Sequence, residues 1–262
     1  MAGAEELTKK GDEAYRNKNY AASLSFYTKA LEQDPNQARA YSGLGRVYYR
    51  KKDLDKAAQN LQKAVSLGLQ DAATHYALGL ALEEKGELEK ALKQYDKTLE
   101  MNPALAQAHH SRGLVLLELG SYGESALAFT EALEKKPDDS ESLLQRGNAL
   151  LMAKSLEQAM EDFRQYTEKN RKDPRGYNGL ATALREQGAL EQALESYKKA
   201  LELEPESKKI KKSLQETESM LRKKDAKPKK GTGRGTSLGE KVEDVQKEAE
   251  RRNTTERRRI EW

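Results

Sequence analysis

Glycine returns every 34 residues along most of this chain, and that spacing limits the possible folds more than any other feature. The glycines are Gly11, Gly45, Gly79, Gly113 and Gly147, and Ala181 continues the series. Sixteen residues after each of these positions stands an aromatic residue or a leucine, and twelve residues after each stands a small residue. Columns that keep one period over so many cycles predict a stack of similar structural units.

The composition predicts that these units are helical. Valine and isoleucine, which sheets favour, together number seven, whereas Ala, Leu, Glu, Lys and Gln are abundant. Apolar residues make up 36% of the chain and charged residues 34%. The apolar share is small for a protein with one thick core. We therefore expect an all-α protein of paired amphipathic helices, in which each pair buries its apolar face by stacking on its neighbours.

Two stretches show the repeated pattern most clearly. One has Tyr41, Leu44, Gly45, Tyr48, Ala57 and Leu61, and the other has Tyr177, Leu180, Ala181, Leu184, Ala193, Tyr197 and Pro205. This pattern resembles the tetratricopeptide repeat (TPR). The resemblance implies a right-handed α-solenoid of six helix-turn-helix repeats, in which the first helices line a concave groove that binds other proteins. The six units are 4–37, 38–71, 72–105, 106–139, 140–173 and 174–207.

Three further segments follow the repeats. They are a predicted capping helix at 208–223, a flexible basic linker at 224–239 and a charged helical tail at 240–262. In the capping helix, Ile210, Leu214 and Leu221 stand at helical spacing. The tail is expected to be mobile or to become ordered on a partner. Net charge is +8 in residues 208–262 and −4 in the remainder, so the basic character belongs to the C-terminal part.

The helical phase of each first helix predicts the side chains that line the groove. The middle units contribute mainly apolar residues, and arginines stand on both flanks. The predicted groove residues are Arg39, Arg46, Tyr49, Tyr76, Leu80, His110, Leu114, Leu117, Leu144, Asn148, Leu151, Arg175, Asn178, Thr182 and Arg185, with Asp12 and Arg50 beside them. This set predicts a partner segment with apolar anchors and acidic ends. The alternative is that the leucines only pack against neighbouring first helices.

Unit five departs from the other units at two places. Tyr166 stands in a column of small residues, and the unit ends in Asn170-Arg171 where most units have a proline. One interpretation is that local repacking absorbs the large side chain. The other is that the angle between units five and six is changed around Tyr166.

Catalysis has little support in the sequence. There is no cysteine, no glycine-rich phosphate loop and no cluster with metal-ligand spacing, so we expect no enzyme activity, no cofactor and no metal. His75 and His109 occupy the column of large residues and are expected to be packing residues. The chain has no apolar run long enough to span a membrane, and we expect it in the cytoplasm or, because of its basic tail, the nucleus.

Two alternative functions remain open. The first units resemble the TPR subgroup that grips the C-terminal carboxylate of heat-shock chaperones, which suggests a co-chaperone. The clamp positions of that subgroup hold Thr8, Asp12, Gly43, Ala73 and Ala77 here, so we predict that the usual carboxylate clamp is missing. The basic tail suggests a nucleic-acid-associated factor, although Trp262 is the only aromatic residue there to stack on bases.

Overall fold

The computed structural model describes residues 2–226, which form thirteen α-helices and no strand. The helices are α1 (Ala2–Arg16), α2 (Tyr20–Gln33), α3 (Ala38–Arg50), α4 (Leu54–Ser66), α5 (Ala72–Glu84), α6 (Leu88–Met101), α7 (Ala106–Glu118), α8 (Tyr122–Lys135), α9 (Ser140–Met152), α10 (Leu156–Lys169), α11 (Pro174–Gln187), α12 (Leu190–Leu203) and α13 (Lys208–Ala226). The predicted all-α repeat fold is confirmed.

The turn between the two helices of each unit has one backbone geometry throughout. At the same position of every unit the chain takes a left-handed conformation with positive φ. Glycine occupies this position in three units, as Gly86, Gly120 and Gly188, and lysine occupies it in the other three, as Lys18, Lys52 and Lys154. Glycine adopts this conformation freely, whereas a lysine there is strained.

The periodic glycine marks the place where the two helices of a unit cross. A Cβ atom added to Gly79 would lie 2.5 Å from Cε1 of Tyr95, whose ring is fully buried against α5. Phe129 meets Gly113 in the same way in the next unit. The 34-residue column therefore exists because a large side chain of the second helix, an aromatic ring or in unit two Leu61, occupies the space that a side chain would need.

Contacts between units define an inner side of the stack. Each second helix packs against the first helix of the next unit, and the first helices α1, α3, α5, α7, α9 and α11 also contact one another in sequence. Within residues 2–226 the second helices form no comparable row of contacts. A stack whose first helices touch while its second helices are spread apart curves towards the first helices, which therefore lie on its inner side.

Helix α13 follows the sixth unit. Ile210 is buried in a cluster with Ala181, Tyr197 and Ala200, and the half-buried Leu214 packs on that cluster. The helix ends at Ala226, three residues later than predicted, so the start of the predicted linker is helical. One compact unit extends to Thr217, and Glu218 begins a second one. The rest of the predicted linker and all of the predicted tail lie outside the described residues.

Candidate functional site

Five large apolar side chains occupy the middle of the inner face, by which we mean the surface formed by the first helices. They are Tyr76, Leu80, Leu114, Leu117 and Leu151, and each is half-buried. Leu114 and Leu117 pack on the buried ring of Phe129 and its neighbours, while Tyr76 and Leu80 pack on the cluster around Tyr95. Packing on the core fixes these side chains and leaves part of their apolar surface exposed.

Leu144 is excluded from this surface. It was predicted to line the groove, but its side chain is only 2% exposed and packs with Phe163 and Ala159. It shares a column with Tyr76 and His110, whose side chains reach further out and are half-buried. At this position of the first helix, the size of the side chain decides whether it reaches the surface.

His110 is held by a chain of hydrogen bonds. Its Nδ1 lies 2.7 Å from Oγ of Ser142, and the Ser142 hydroxyl donates to a carboxylate oxygen of Asp139. The imidazole also meets the edge of Phe129, with 5.4 Å between ring centroids. Burial lowers the pKa of His110, against the opposing effects of Asp139 and Glu141, so the ring is neutral near neutral pH.

A small hollow opens beside His110. Its volume is about 190 Å³, and its lining includes Tyr76, Lys136, Asp139 and Glu141. Although burial alone would raise the pKa of Asp139, hydrogen bonds from Ser142 and Lys136 hold it below its ordinary value. The hollow thus places the ring of Tyr76 near the carboxylate of Asp139, which is already paired with Lys136.

The predicted arginines on the flanks are already engaged within the chain. Arg46 donates to Asp12 over 2.9 Å and lies over the ring of Tyr15. Arg50 donates to the phenol oxygen of Tyr15. These bonds reduce the capacity of the N-terminal flank to bind an acidic partner, and Arg39 is the remaining predicted cation there that has no polar partner within residues 2–226.

The C-terminal flank shows the same pattern. Arg175 donates to both Asp173 and Glu141, and the hydrogen bond to Asp173 together with the charges of both carboxylates raises the pKa of Arg175. Arg185 lies 3.4 Å from Glu216 and over the ring of Tyr197. Arg46–Asp12 and Arg175–Glu141 each join residues 34 apart, so opposite charges at one position of consecutive units were the signal in the sequence.

The remaining predicted residues are polar and partly buried. Asn148 donates to Gln145, and the Thr182 hydroxyl donates to the backbone carbonyl of Asn178. The Tyr49 hydroxyl donates to Glu84 over 2.6 Å, and burial together with this bond raises the pKa of Tyr49.

Sequence reasoning missed two carboxylates in the middle of the inner face. Glu83 belongs to the column that supplies Tyr49, Leu117 and Leu151, and Glu118 follows Leu117. Tyr95 donates its phenol proton to Glu83. Burial raises the pKa of Glu83, and the nearby charges of Glu118 and Glu84 raise it further. The position of Glu83 in this column was the signal in the sequence.

The clamp positions of the first units carry no basic side chain, and the absence of the usual carboxylate clamp stays a prediction. Thr8 is buried and donates to the carbonyl of Ala4, and Gly43 and Ala77 are buried as well. Asp12 accepts from Tyr27 and Arg46. An anionic ligand would find one carboxylate and no free cation among these side chains.

A larger hollow lies on the opposite side of the stack. It measures about 590 Å³ between α8 and α10, and its wall includes Leu127, whose side chain is 65% exposed. The floor holds Arg146 and Asp162, which form a two-pronged ion pair with distances of 2.7 and 2.8 Å. The two charged groups on the floor therefore satisfy each other, and Leu127 provides a comparison surface for tests of the inner face.

Two chemical features are absent from the described part of the chain. Residues 2–226 contain no group of three histidine, cysteine, aspartate or glutamate side chains that is placed to hold a metal ion. No helix in this range is both long and apolar enough to cross a bilayer.

Comparison with known proteins identifies the repeats. A tetratricopeptide repeat family model matches residues 8–74, 56–106, 76–140 and 110–174, and a second tetratricopeptide repeat model matches residues 174–207. A comparison with curated proteins gave no significant match.

Many solved structures share the fold. YrrB, a TPR protein with an unusual peptide-binding site, is 22% identical, with a TM-score of 0.67 over 73% of this chain and 97% of its own. MamA is 24% identical, with a TM-score of 0.59 over 66% of this chain and 94% of its own. PilF of Pseudomonas aeruginosa is 17% identical, with a TM-score of 0.63 over 84% of this chain and 98% of its own. At these identities the likeness establishes the architecture.

Proposed function

The chain belongs to the tetratricopeptide repeat family, and on that premise we propose that it is a protein-interaction scaffold that holds a segment of another protein against the middle of its inner face. The observation that carries this proposal is the group of half-buried side chains on α5, α7 and α9, namely Tyr76, Leu80, Leu114, Leu117 and Leu151. Apolar groups that are fixed by a core and partly exposed are typical of binding surfaces.

A segment of protein is the ligand class that suits this surface. The apolar side chains repeat from one first helix to the next, so a chain that crosses the helices would meet an anchor on each. The rim around them is polar, as in most protein interfaces. The peptide-binding site attributed to YrrB, which has the same fold, supports this ligand class.

Crosslinking with the full chain as bait tests the proposal. Proteins captured by the wild type should be lost from the variant Leu114→Glu/Leu117→Glu, because two carboxylates in the apolar surface would be buried by the partner. A second variant, Met152→Gln, removes the apolar character of a side chain that follows Leu151 and is 50% exposed, so it should weaken capture without disturbing the core. Helical melting followed by circular dichroism checks that both variants stay folded.

The control variant is Leu127→Glu, which places the same charge on the exposed leucine of the opposite side. We expect it to capture the same proteins as the wild type. If capture is lost with Leu127→Glu and kept with the inner variants, the partner binds the hollow between α8 and α10 and the proposal is wrong.

A co-chaperone of different groove chemistry remains the nearest alternative, since the inner surface is open to any suitable segment. A nucleic-acid role through the basic C-terminal part is a further alternative. Its described portion is α13, where Arg222 and Lys223 are exposed. Nucleic-acid binding would weaken steeply with salt and would survive Leu114→Glu/Leu117→Glu, which separates it from the scaffold function.

A further inference from the structure

Resting on the proposed function, we infer that the middle of the inner face selects a basic segment, in which apolar anchors are flanked by lysine or arginine side chains. This differs from the acidic ends that the flanking arginines suggested. The inference depends on two groups beside the apolar surface, of which one supplies negative charge and the other a hydrogen-bond acceptor.

The first group is the pair Glu83 and Glu118. Glu83 is half-buried one helical turn beyond Leu80, and Glu118 is exposed next to Leu117. Within residues 2–226 neither forms an ion pair, and the nearby cation Lys52 is already bonded to Glu84. Two carboxylates therefore stand beside the leucines without a counter-charge, and a cation from a partner would supply it.

The second group is His110. Ser142 has a single hydroxyl proton and donates it to the ionised Asp139, so its oxygen accepts the proton carried by Nδ1 of His110. The neutral ring then leaves Nε2 as an acceptor, and no group within the described residues donates to it. The hollow therefore offers one acceptor to an N–H donor of the partner, while the carboxylates of Asp139 and Glu141 beside it are already paired with Lys136 and Arg175.

These two groups lie on either side of the apolar anchors. Seven residues separate Tyr76, which lines the hollow, from Glu83 on the same helix, so they stand about 10 Å apart along α5. Leu80 lies between them. A partner side chain seated on Leu80 would have acceptors on both sides, and the matching segment carries donors before and after its apolar residue.

The flanking arginines do not reverse this preference, because three of the five, Arg46, Arg175 and Arg185, are bonded to carboxylates of the chain. An acidic segment would have to break those pairs and would also bring its charge near Glu83 and Glu118. A basic segment meets neither cost.

Two synthetic peptides test the inference against the full chain. Both contain three leucines, and they differ only in having lysine or glutamate on each side of every leucine. At low ionic strength, fluorescence anisotropy should show that the lysine peptide binds about tenfold more tightly. The variant Glu83→Gln/Glu118→Gln should lose this preference, and equal affinities in the wild type would overturn the inference.

A matched control removes two carboxylates from the second helices instead. Glu161→Gln/Glu195→Gln raises the net charge of the chain by the same two units, and both positions are exposed. The preference for the lysine peptide should survive this change, whereas its loss would mean that overall charge governs binding. If both peptides bind the wild type equally and Leu114→Glu/Leu117→Glu weakens the binding of both, the proposed function stands and this inference fails. If Leu114→Glu/Leu117→Glu weakens the binding of neither peptide, the proposed function and this inference are both wrong.

The free protein offers a measurement that needs no peptide. The titratable groups that surround Glu83 are Tyr49, Tyr76, Tyr95, Glu84 and Glu118. A raised pKa means that the folded state gains stability while Glu83 is protonated and loses it as pH rises through that pKa. Glu83→Gln should therefore raise Tm at neutral pH and have little effect near pH ~4, the ordinary range of glutamate. An unchanged Tm at neutral pH would contradict the inference that the carboxylate of Glu83 has no counter-charge.

The assignment at His110 is tested by ¹⁵N NMR of the free chain. At neutral pH the proton should reside on Nδ1, and Nε2 should carry none. Ser142→Ala removes the hydroxyl that fixes this form and should yield a mixture of the two tautomers. A proton found on Nε2 in the wild type would make His110 a donor and would overturn this part of the inference.

Discussion

The contact between units five and six is as closely packed as the contact between units one and two, but it combines side chains of different sizes. At the first contact Ala30 and Ala40 are both fully buried in one cluster. At the later contact Tyr166 is buried, and a Cβ atom added to Gly176 would lie 2.5 Å from its ring. A large side chain on one helix is thus accommodated by the loss of a side chain on the next.

The two contacts also share a polar arrangement. Tyr166 donates to Asp173 over 2.6 Å, and Arg175 donates to both of them. In unit one, Tyr27 likewise donates over 2.6 Å to an aspartate that also binds an arginine of the next unit. The departure at Tyr166 is therefore consistent with local repacking, while a changed angle between units five and six stays a prediction.

The largest effect is expected from Tyr166→Ala. The ring is buried, and Gly176 has no side chain to fill the space, so a cavity remains and the free energy of unfolding should fall by about 3–5 kcal/mol. Urea denaturation measures this loss. Ala132→Gly, the change at the same column one unit earlier, should cost about 1 kcal/mol. Equal losses in the two variants would show that Tyr166 does not fill the contact.

Gly176→Ala should lower the free energy of unfolding in the wild type and raise it in the Tyr166→Ala variant. In the wild type the new methyl group meets the ring of Tyr166, and we expect a loss of about 1–3 kcal/mol. In the Tyr166→Ala background the γ-methyl of Thr167, 2.8 Å from the new Cβ, can move into the cavity, so the added methyl group fits and favours the helix, and stability should rise by about 1 kcal/mol. A double-mutant cycle gives the coupling. Additive effects would mean that the two positions do not compensate each other.

The pairing of Tyr166 with Gly176 illustrates what the sequence reveals. Columns such as Gly79 and Tyr95 report packing, because the same crossing recurs in every unit, and so the fold was predicted from periodicity. Gly176 was not recognised as the complement of Tyr166, since it falls outside the main glycine column. Compensation between neighbouring helices requires knowledge of which positions touch.

The inner face was predicted only in part, for a different physical reason. Its columns place Leu80 and Leu117 on the surface, but the same columns include Leu144, which is buried. The position of a residue on a helix fixes the direction of its side chain, but the neighbouring residues determine how much of that side chain is exposed. The pairing of Arg175 with Glu141 depends on two helices, so the charge of single residues gave a misleading expectation of free cations.

Tyr166→Phe sharpens the comparison of the polar groups. The ring and its packing remain, while the hydrogen bond to Asp173 is lost, and we expect a decrease of about 1 kcal/mol in the free energy of unfolding. Tyr27→Phe, which removes the corresponding bond to Asp12, should have a similar effect. Thermal melting of both variants tests the parallel, and a loss confined to one of them would show that the two arrangements are not equivalent.

The smallest effect concerns the turn inside unit five, where Lys154 has a φ of 63°. Lys18 has the same left-handed conformation in unit one, with a φ of 58°. Lys18→Gly should stabilise the protein by about 0.5–1 kcal/mol because glycine is not strained there. Lys154→Gly should gain somewhat less because it also removes a surface ion pair with Glu186. If thermal melting shows that both variants are stabilised, unit five differs from unit one at the contact around Tyr166 and not at the turn. If Lys154→Gly alone is destabilised, the two units also differ at the turn.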